Sequence, residues 1–289
     1  MIFITGATGF IGKSIQGFLK KKKYQVLSLD LRKDFSELNY ALNSPGDNVL
    51  IHTAWAGVLG KDRNNRIQDE NLNLSHKVLN FINTFNVKKL IAFGSQAEYG
   101  PYEIRVSEDQ PLKPSSYYGK IKIECFEIFK KFFSSNKDKD FIWLRLYDPY
   151  GPGDNPNWFI PYIIKNALLD ESPLLTECSQ IWDYLYVDDL CMCLEKIINA
   201  EYFVNGKNSN IYNLSSDNPI LLKNIVKMIF HEINPARAKP LFGKVPFRKD
   251  QQFYLHGNNT KISEDFSWSP IVKIDKGLLE TIKYFKALM

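Results

Sequence analysis

Short apolar runs alternate with longer amphipathic stretches through the first half of the chain. The apolar runs are rich in Ile, Val, Leu and Phe, are too short for helices, and occur at residues 2–5, 25–30, 49–54, 89–94 and 141–146. Between them, hydrophobic residues recur with the period of a helix near residues 10–22, 66–85 and 117–134. Strands that alternate with helices predict an α/β fold built on a doubly wound parallel sheet, with helices on both of its faces.

The pattern is less regular from about residue 150 onwards. Helical periodicity occurs near residues 159–169, 188–199, 221–231 and 274–287, and short strands are predicted at 184–187, 211–214 and 252–255. No internal repeat or low-complexity linker separates this half from the first. We therefore predict a first domain over residues 1–150, to which 182–215 return, and a smaller mixed α/β C-terminal lobe made of 151–181 and 216–289.

Composition narrows the class of protein without identifying a function. The chain has 289 residues, of which 44% are hydrophobic and 24% charged, as expected for a folded globular protein rather than a disordered one. No apolar stretch approaches the length of a membrane span, and the first residues lack the basic segment of a signal peptide. The 4 cysteines form no CxxC pair and no zinc-binding spacing with histidine. We therefore expect a cytoplasmic protein with reduced thiols, no metal site and no membrane partner.

The net charge of +5 comes mostly from scattered lysines, with one run at residues 20–23. Such a run can indicate nucleic-acid binding. It also closes a predicted helix, where cations are favourable because of the helix dipole, and we favour this second interpretation. The sequence therefore predicts no nucleic-acid partner, whereas a mild positive field would suit a small anionic substrate.

The first predicted strand runs directly into a glycine-rich turn and then a helix, over residues 5–12. Gly6 permits the tight turn, Gly9 allows the backbone to approach a pyrophosphate, and Gly12 lets the helix pack close to the sheet. A glycine-rich turn alone is weak evidence, but the strand and helix on either side give it the context of a Rossmann-type dinucleotide site. The predicted cofactor contacts in this turn are Gly6, Thr8, Gly9, Phe10, Ile11 and Gly12.

An acidic residue follows at the end of the second predicted strand. Asp30 lies at the distance from Gly12 where a carboxylate can accept hydrogen bonds from the ribose hydroxyls of adenosine. A carboxylate repels a 2′-phosphate, which favours NAD(H). Arg32 and Lys33 follow closely, however, and either cation could hold that phosphate. NAD(H) is therefore the expected cofactor, and NADP(H) remains open.

Tyr118 and Lys122 are one turn apart in a predicted helix, so both side chains lie on one helix face. An ammonium beside a phenol favours the phenolate, and lowering a tyrosine pKa from about 10 to near 7 requires about 4 kcal/mol. Tyr118 could then exchange a proton with a sugar or alcohol oxygen while hydride moves to or from the cofactor. The neighbouring Tyr117 has no lysine at the matching position. Ser95 ends the fourth predicted strand, where its hydroxyl could donate to the same oxygen.

The order of these motifs is more specific than any one of them. The segments TGATGFIG, an acid after the second strand, HTA, GSQAEYG, YYGKIK, LRLYDPYGPGD and WDYLYVDD follow one another along the chain. In this order the chain resembles the extended short-chain dehydrogenases/reductases of the NAD-dependent epimerase/dehydratase family, which act on nucleotide sugars. The resemblance covers nearly the whole chain and implies a Rossmann-type fold with a C-terminal lobe that binds the substrate.

The resemblance also implies roles for individual residues. Ser95, Tyr118 and Lys122 match the family's catalytic triad, and the glycine-rich turn matches its pyrophosphate site. The segment that begins at His52 matches a His-x-Ala-Ala strand end that passes beside the cofactor. The further positions that match cofactor-binding residues of the family are Asp30, Thr53, Ala54 and Asn71. Arg32 is also a predicted cofactor contact, because it follows Asp30 closely.

Departures from the family pattern bear on the reaction. Sugar 4,6-dehydratases carry Asp-Glu just after the catalytic hydroxyl residue, whereas this chain has Gln96 and Ala97. Without an acid and a base at these positions, the chain lacks the groups that catalyse the elimination of water. Uridine-sugar 4-epimerases have an asparagine near the diphosphate at the position of Asp148. A carboxylate there would be costly, so we expect Asp148 to point elsewhere or to bind a sugar hydroxyl.

Other departures concern the predicted substrate lobe. Trp182 stands where the same epimerases usually have an arginine, and its ring could stack on the base or sugar or simply fill the core. Arg248 resembles a late phosphate-binding arginine of the family, although its spacing to Asp250 is one residue short. The full set of predicted substrate contacts is Gln96, Asp148, Asn155, Trp158, Gln180, Trp182 and Arg248.

The expected substrate is a nucleotide-diphosphate sugar, and more than one function is open. The leading hypothesis is reduction of the C4 ketone of an NDP-4-keto-6-deoxyhexose, with NAD(P)H as hydride donor, Tyr118 as acid and Ser95 polarising the oxygen. The second hypothesis is an NDP-sugar 4-epimerase that retains its cofactor. A third, from another class, is a non-catalytic nucleotide-binding sensor. Such proteins typically lose the tyrosine–lysine pair, which this chain keeps.

Two expectations concern the whole molecule. The predicted helices at 66–85 and 117–134 carry apolar residues on more than one face, and the family commonly dimerises through them. We therefore expect a homodimer, unless both faces are covered within one chain. Only residues 31–47 separate the second strand from the strand that ends in HTA, where the family usually has an extra strand and an acidic turn. This trimming resembles the compact deoxysugar reductases and puts the usual adenine contact in doubt.

Overall fold

The computed structural model describes residues 1–33, 47–200, 211–248 and 251–289. Within these residues the strands in chain order are β1 (Ile2–Thr5), β2 (Val26–Leu29), β3 (Asn48–His52), β4 (Val87–Ser95), β5 (Asp140–Leu146), β6 (Pro149–Tyr150), β7 (Ile181–Trp182), β8 (Leu185–Tyr186), β9 (Ile211–Leu214) and β10 (Ile220–Leu221). Six of them form the central sheet, in the order β2-β1-β3-β4-β5-β9.

Neighbouring strands from β2 to β5 run parallel. β1 pairs with both β2 and β3, so that Thr5 lies between Leu29 and His52. Every residue of β1, β3 and β5 is buried, as expected for strands with both faces covered. The predicted doubly wound parallel sheet is therefore confirmed. The five predicted runs form its first five strands, with ends shifted by at most two residues.

The helices account for the amphipathic stretches between the strands. In the described residues they are α1 (Phe10–Lys21), α2 (Glu70–Thr84), α3 (Tyr117–Ser135), α4 (Phe159–Leu168), α5 (Val187–Asn199), α6 (Leu222–Ile233), α7 (Thr260–Phe266) and α8 (Ile274–Ala287). The predicted helix at 66–85 begins as a 3-10 turn over Arg66–Asp69 and continues as α2. Ser116 is the N-cap of α3, and its side chain accepts the Gly119 N–H. The sequence analysis missed α7.

The chain divides into two compact units, and the first contains the central sheet. This unit comprises residues 1–100, 108–146 and 194–213. Its core lies between the sheet and the pair α2 and α3, around side chains such as Phe3, Phe81 and Trp143. At the start of β4, the buried ammonium of Lys89 donates to the carbonyl oxygens of Ile197 and Ala200 at 2.9 and 2.8 Å. This lysine therefore ties the sheet to the end of α5.

Most of the apolar residues of α3 lie in this same core, whereas Phe132 is only partly buried against it. Phe126, Phe129 and Phe133 are buried there together with Ile121 and Cys125. The chain therefore covers these side chains by itself, and they give no separate reason for a second copy. The homodimer stays a prediction.

The second unit comprises residues 101–107, 147–193 and 214–289. Its core lies among α4, α6 and α8, around side chains such as Ile163, Val226 and Ile282. Two small sheets accompany these helices, one of β7 with β10 and one of β6 with β8. This unit is therefore mixed α/β. The predicted assignment of cofactor and substrate to separate parts of the chain stays a prediction.

One predicted strand of the second unit is wrong. Residues 252–255 form no strand, and only Tyr254 makes an isolated bridge to Ile181. The Ile181 N–H donates to Phe253 O at 2.8 Å, and Leu255 N–H donates back to Ile181 O at 2.9 Å. Because β7 is only 2 residues long, it offers this segment a single pairing position rather than a ladder.

The trimmed segment between the second strand and the HTA segment lies almost entirely at 34–46, outside the described residues. Its effect on adenine contacts therefore stays a prediction. Over the parts of the chain that the structure describes, no helix is long and apolar enough to cross a membrane.

Candidate active site

The glycine-rich turn joins β1 to α1 and has contacts that a side chain would prevent. Gly6 has φ +68°, in the left-handed region that glycine favours. A Cβ at this position would lie 2.7 Å from both the Ala54 nitrogen and Thr53 Oγ1. A Cβ on Gly12 would collide with the carbonyl oxygen of Gly6. The start of α1 therefore packs closely against the turn and the ends of β1 and β3.

Gly9 has a more open position in this turn. Its N–H donates to Gly6 O at 3.0 Å, and a Cβ on it would meet no neighbour closer than 3.5 Å. Gly9 is the N-cap of α1 and has no side chain to satisfy the first N–H groups of the helix. Such a helix start suits a pyrophosphate. Thr8 is exposed beside it, and Phe10 and Ile11 are half-buried in the first turn of α1.

A hydrogen-bonded cluster fixes the ends of β1 and β3 beside this turn. Thr5 Oγ1 lies 2.8 Å from His52 Nδ1 and accepts the Ala54 N–H at 3.2 Å. The Thr53 hydroxyl donates to Thr5 O at 2.7 Å. Burial, together with the nearby charge of Lys122, lowers the pKa of His52 to about 3. The imidazole is therefore neutral at neutral pH and serves as a fixed hydrogen-bonding group.

Asn71 is buried on α2 and clamps the segment that follows β3. Its side-chain oxygen accepts the Ala56 N–H at 2.8 Å. Its amide donates to Ala56 O at 3.1 Å and to Gln68 O at 3.0 Å. Both ends of the side chain are therefore engaged within the chain, and its predicted support of a cofactor would act through this segment.

Asp30 follows β2 and is bound by Arg32. The guanidinium donates from Nε and Nη2 to the two carboxylate oxygens at 2.8 and 2.9 Å, and the Arg32 N–H donates at 3.1 Å. These hydrogen bonds lower the pKa of Asp30 to about 2, so its carboxylate is ionised at neutral pH. Arg32 thus pairs with Asp30 here, rather than standing apart from it.

Ser95 ends β4 and begins the 3-10 turn Gln96–Glu98. Its hydroxyl oxygen accepts the Ala97 N–H at 3.2 Å, and the Glu98 carboxylate accepts the Ser95 N–H at 2.8 Å. This reciprocal pair is a capping box. Because the Ser95 oxygen acts as an acceptor in it, the hydroxyl can still donate its proton to a ligand at the end of the strand.

Glu98 is a residue that our sequence analysis missed. It is fully buried, pairs with Arg145 of β5 at 2.8 Å, and accepts from Trp143 Nε1 at 3.1 and 3.2 Å. Arg145 also donates to the Tyr99 hydroxyl at 2.8 Å. The Ser-x-x-Glu spacing after β4 was the available signal, whereas Arg145 reaches Glu98 only through the pairing of β4 with β5. This buried pair supports the turn that carries Ser95.

Lys122 lies on α3 one turn after Tyr118, and its ammonium is buried. Nζ donates to Phe93 O at 2.6 Å and lies 3.4 Å from the centroid of the Trp55 ring. It is 5.6 Å from the centroid of the Tyr118 ring. Burial lowers the pKa of Lys122 to about 7, against the opposing effect of two neighbouring acidic groups. The predicted tyrosine–lysine pair thus shares one side of α3, with an indole beside it.

Tyr118 is held by the segment between β3 and α2. Its N–H donates to Arg63 O at 2.8 Å, and the guanidinium carbon of Arg63 lies 5.0 Å from the centroid of its ring. The Trp55 ring meets it edge-on at 5.7 Å. The adjacent Tyr117 donates its hydroxyl to Asp69, which raises the pKa of Tyr117. Only Tyr118 of this pair therefore lies beside the buried lysine.

Gln96 is the one predicted substrate contact in the same unit as Ser95. It is buried, and its Oε1 atom has no hydrogen-bond partner among the described residues. An amide at this position followed by the methyl of Ala97 has neither the acid nor the base that water elimination needs. The turn after Ser95 therefore has Gln96 and Ala97 where the dehydratases have Asp-Glu.

The other predicted substrate contacts belong to the second unit. Asp148 is half-buried just after β5, and its carbonyl oxygen accepts the Leu185 N–H at 3.1 Å. Asn155 holds a turn, since its side chain accepts the Asn157 N–H at 2.9 Å. Trp158 is the N-cap of α4 and is partly exposed. These residues follow one another along the connection from β5 to α4.

Gln180, Trp182 and Arg248 lie later in the second unit. Gln180 is buried, and in the described part of the chain its Oε1 atom has no hydrogen-bond partner. Trp182 packs against the core of this unit, and its Nε1 donates to Gln252 O at 3.2 Å. Arg248 is exposed and is followed by residues 249–250, which lie outside the described part.

Two further groups of charged side chains lie in the second unit. Burial, with a contribution from Asp148, raises the pKa of Asp154 to about 7. Asp217 accepts from Arg105 with both oxygens and lies 2.7 Å from His256 Nε2. The partners of Asp217 lie far from it in the chain, so that group was not visible from sequence spacing, whereas Asp148 and Asp154 both lie in the LRLYDPYGPGD segment.

The 4 cysteines are buried free thiols. Burial raises the pKa of Cys125 to about 11, so that thiol is protonated at neutral pH. Among the residues that the structure covers, no group of three or more His, Cys, Asp or Glu side chains is arranged to hold a metal ion.

The chain is similar to known proteins over nearly its whole length. The profile of the family described as "NAD dependent epimerase/dehydratase family" matches residues 2–215. A putative UDP-glucose 4-epimerase of Methanocaldococcus jannaschii is 23% identical, with 99% of this chain and 98% of the relative covered. A dTDP-4-dehydro-6-deoxyglucose reductase of Escherichia coli is 24% identical, with 98% and 96% covered.

The fold is also shared with a solved structure. The UDP-glucuronic acid 4-epimerase from Bacillus cereus, in complex with UDP-glucuronic acid and NAD, superposes with a TM-score of 0.81. The two chains are 22% identical, and the match covers 100% of this chain and 99% of the other. At this identity the likeness establishes the common fold.

Proposed function

The chain belongs to the NAD-dependent epimerase/dehydratase family, and from this premise we propose that it reduces the C4 ketone of an NDP-4-keto-6-deoxyhexose. The observation that carries the proposal is the turn after Ser95. It presents an amide and a methyl in place of the dehydratase acid and base, while Tyr118 and Lys122 are kept on one side of α3. A relative named as a reductase of a dTDP-4-dehydro-6-deoxy sugar supports the same reaction class.

The residues around the glycine-rich turn fit a dinucleotide. A side chain at Gly6 or Gly12 would fill the turn, and the N-cap at Gly9 leaves the start of α1 open to a pyrophosphate. The ionised carboxylate of Asp30 suits ribose hydroxyls and opposes a 2′-phosphate, so the proposed cofactor is NAD(H). When bound, the reduced nicotinamide supplies the hydride.

Two side chains of the first unit act on the ketone oxygen, and a third supports one of them. Tyr118 donates its phenolic proton to O4 as the ketone becomes an alcohol. The Ser95 hydroxyl donates a hydrogen bond to the same oxygen and stabilises the negative charge that develops on it. The ammonium of Lys122, 5.6 Å from the centroid of the Tyr118 ring, stabilises the phenolate that the transfer leaves behind.

An NDP-sugar 4-epimerase is the second candidate. A relative named as a putative UDP-glucose 4-epimerase matches 99% of this chain, and such a reaction would use the same Ser95, Tyr118 and Lys122. In an epimerase the hydride returns to the opposite face of a rotated ketone, so the cofactor is regenerated in each cycle. In both candidates the substrate is a nucleotide-diphosphate sugar.

A cofactor balance separates the two candidates. The purified protein is incubated with 4-keto-6-deoxy sugar nucleotides of different bases, with NADH or NADPH, and separately with the matching sugar nucleotides alone. A reductase consumes one reduced cofactor for each alcohol formed. An epimerase purifies with NAD⁺ bound and interconverts sugars without added reductant. If neither class of sugar nucleotide reacts, both proposals are wrong.

The assignment of the acid is tested by Tyr118→Phe under saturating cofactor. Loss of a positioned general acid is expected to lower kcat by about 100-fold or more. Tyr117→Phe is the matched control. The Tyr117 hydroxyl donates to Asp69, so this substitution should leave kcat unchanged. If Tyr118→Phe retains nearly full turnover, the mechanism is wrong. If the wild-type protein binds nucleotide but transforms no sugar, a non-catalytic nucleotide sensor becomes the better description.

A further inference from the structure

Trp55 is a large aromatic residue at a position where the family resemblance predicts a small one. It directly follows Ala54, and therefore takes the place of the final alanine in the His-x-Ala-Ala strand end. Its indole is fixed, since Nε1 donates to Gln68 Oε1 at 2.9 Å. The amide of Gln68 in turn donates to Gly57 O at 2.6 Å. The ring is thus built into the segment between β3 and α2 rather than left free on the surface.

The face of this ring covers the ammonium of Lys122. Nζ lies 3.4 Å from the ring centroid, well within the range of a cation–π contact. Lys122 is only 4% exposed, so water does not replace this contact. The other partner of Nζ is Phe93 O, at 2.6 Å. In the described residues, no carboxylate forms a salt bridge with it, since the nearby Glu98 is paired with Arg145.

The titratable groups around Lys122 compensate its charge only weakly, so the Trp55 indole is the main group that stabilises the ammonium. His52 of β3 is neutral at neutral pH, because burial and Lys122 lower its pKa to about 3. Cys125 of α3 is a protonated thiol, because burial raises its pKa to about 11. Tyr118 faces the ammonium from the same helix, and Glu98 acts from the turn after β4. Burying an ammonium with so little compensation is costly, and the pKa of Lys122 is lowered to about 7.

We propose that Trp55 is a positioning residue for the catalytic lysine, whose ammonium it holds by a cation–π contact at one point beside the Tyr118 ring. The inference rests on the proposed function, because it gives Lys122 the task of supporting Tyr118. Without the indole face, the buried ammonium loses its strongest attraction apart from one carbonyl oxygen. Lys122 then prefers its neutral form at neutral pH, and Tyr118 loses the charge that stabilises its phenolate.

The experiment compares Trp55→Phe and Trp55→Leu with the wild type. Lysine labelled at Cε is titrated by NMR in the intact protein without substrate, and Lys122→Met identifies the Lys122 signal. In Trp55→Leu the midpoint of that signal is expected to move down by about one and a half pH units, since a desolvated cation–π contact of about 2 kcal/mol corresponds to that shift at about 1.4 kcal/mol per unit. Trp55→Phe keeps an aromatic face and should give an intermediate midpoint.

Turnover provides the second readout. In the 4-keto sugar assay, kcat is expected to fall about tenfold in Trp55→Leu with KM little changed, and to recover partly in Trp55→Phe. Phe18→Leu is the matched control, because it removes an aromatic ring 5.6 Å from the exposed ammonium of Lys22 and should change neither readout. Circular dichroism verifies folding, and Trp55→Phe decides the outcome if Trp55→Leu does not fold.

The outcomes separate this inference from the proposed function. A Lys122 midpoint that is the same in wild type and variants overturns the inference, even where the wild type reduces the 4-keto sugar. A KM effect equal to the kcat effect, with no recovery in Trp55→Phe, also overturns it. A lowered midpoint supports the inference independently of substrate. If the wild type then reduces no 4-keto sugar, the proposed reductase function fails by itself.

Discussion

The buried charges at and beside the predicted catalytic residues are compensated by specific neighbours. Glu98 is fully buried beneath Ser95 and is neutralised by Arg145. Lys122 is buried beside Tyr118 and has a carbonyl oxygen and an indole face as its partners. A buried charge without such a partner costs several kcal/mol, so each neighbour restricts where the charged group can lie. The site is therefore held in place largely by residues to which the sequence analysis assigned no role.

The Glu98–Arg145 pair gives a prediction for stability. Glu98→Gln is expected to lower the free energy of unfolding by about 3 kcal/mol or more, because it leaves the buried guanidinium without its carboxylate. Urea denaturation followed by circular dichroism measures the change. Glu127→Gln is the control, since its pair with Lys130 is exposed and contributes less than about 1 kcal/mol. Equal urea midpoints for Glu98→Gln and wild type would count against this role.

Cofactor choice gives a second prediction at the same scale. Asp30→Ala removes a carboxylate that opposes a 2′-phosphate and releases Arg32 from its two hydrogen bonds. The ratio of kcat/KM for NADPH over NADH is expected to rise about tenfold or more, which corresponds to about 1.4 kcal/mol. The gain should disappear in the double variant with Arg32→Gln. Asp138→Ala, at an exposed pair with Lys88, should leave the ratio unchanged. A constant ratio in all variants would contradict the assignment.

Motif residues could be identified from sequence because their roles depend on neighbours in the chain. Gly6 and Gly12 follow a strand and begin a helix, and Tyr118 and Lys122 are one helical turn apart. Trp55 has no such local signal, because its contact with Lys122 forms only when the end of β3 meets α3. Spacing therefore predicts which residues can share a face, whereas the compensation of a buried charge depends on the tertiary fold.

At the level of elements, the start of α1 combines two glycines with different requirements. Gly12 lies where the helix touches the turn, and a Cβ there would collide with the Gly6 carbonyl. A Cβ on Gly9 would have no neighbour closer than 3.5 Å, yet Gly9 forms the open cap of the helix. Gly12 is therefore needed for folding, and Gly9, on our proposal, for the approach of a pyrophosphate.

This difference is testable with single methyl groups. Gly12→Ala is expected to destabilise the protein by a few kcal/mol, because backbone atoms must move apart. Gly9→Ala should change stability by less than about 1 kcal/mol but weaken NAD(H) binding about tenfold or more, measured by calorimetry. Gly17→Ala on the same helix is the control, since nothing lies within 4 Å of its Cβ, and a small stabilisation is expected. Unchanged affinity in Gly9→Ala would refute the role of the open cap.

Elements with strong periodicity were predicted well, and short elements with single partners were not. β1, β3 and β5 are short, largely apolar runs whose residues are all buried, so composition identifies them. The 7 residues of α7 are too few to show a helical period, and it was missed. Residues 252–255 have the composition of a strand, but the 2-residue β7 offers them one pairing position. A strand needs a partner of sufficient length, which no local pattern can supply.

At the level of the whole molecule, neither compact unit is a continuous stretch of chain. Residues 101–107 belong to the second unit, although both flanking segments belong to the first. This segment is held by Val106 N–H, which donates to His256 O at 2.8 Å, and by the Arg105–Asp217 pair. Residues 101–107 join the second unit through partners more than a hundred residues away. A domain boundary placed where the periodicity fades does not reveal such contacts.

The homodimer is a prediction that belongs to this scale. Leu72, Leu79 and Phe132 on α2 and α3 are only partly buried within one chain. Sedimentation at micromolar concentration is expected to give twice the chain mass of 33.5 kDa. Phe132→Glu should shift the protein to monomer, whereas Ile271→Glu, at a position 70% exposed in the second unit, should not. A wild-type species of single-chain mass would overturn the prediction.

The late arrival of β9 has a consequence for synthesis on the ribosome. β9 lies next to β5 in the sheet, but it is translated only after α4 and α5. Until then β5, whose residues are all buried in the finished protein, has an unpaired edge, and Lys89 lacks the carbonyl oxygens at the end of α5. Unpaired apolar edges promote association between chains. Nascent chains stalled after β5 has left the ribosome but before β9 is made should therefore bind chaperones more strongly, and be cleaved by protease faster, than chains stalled well past β9.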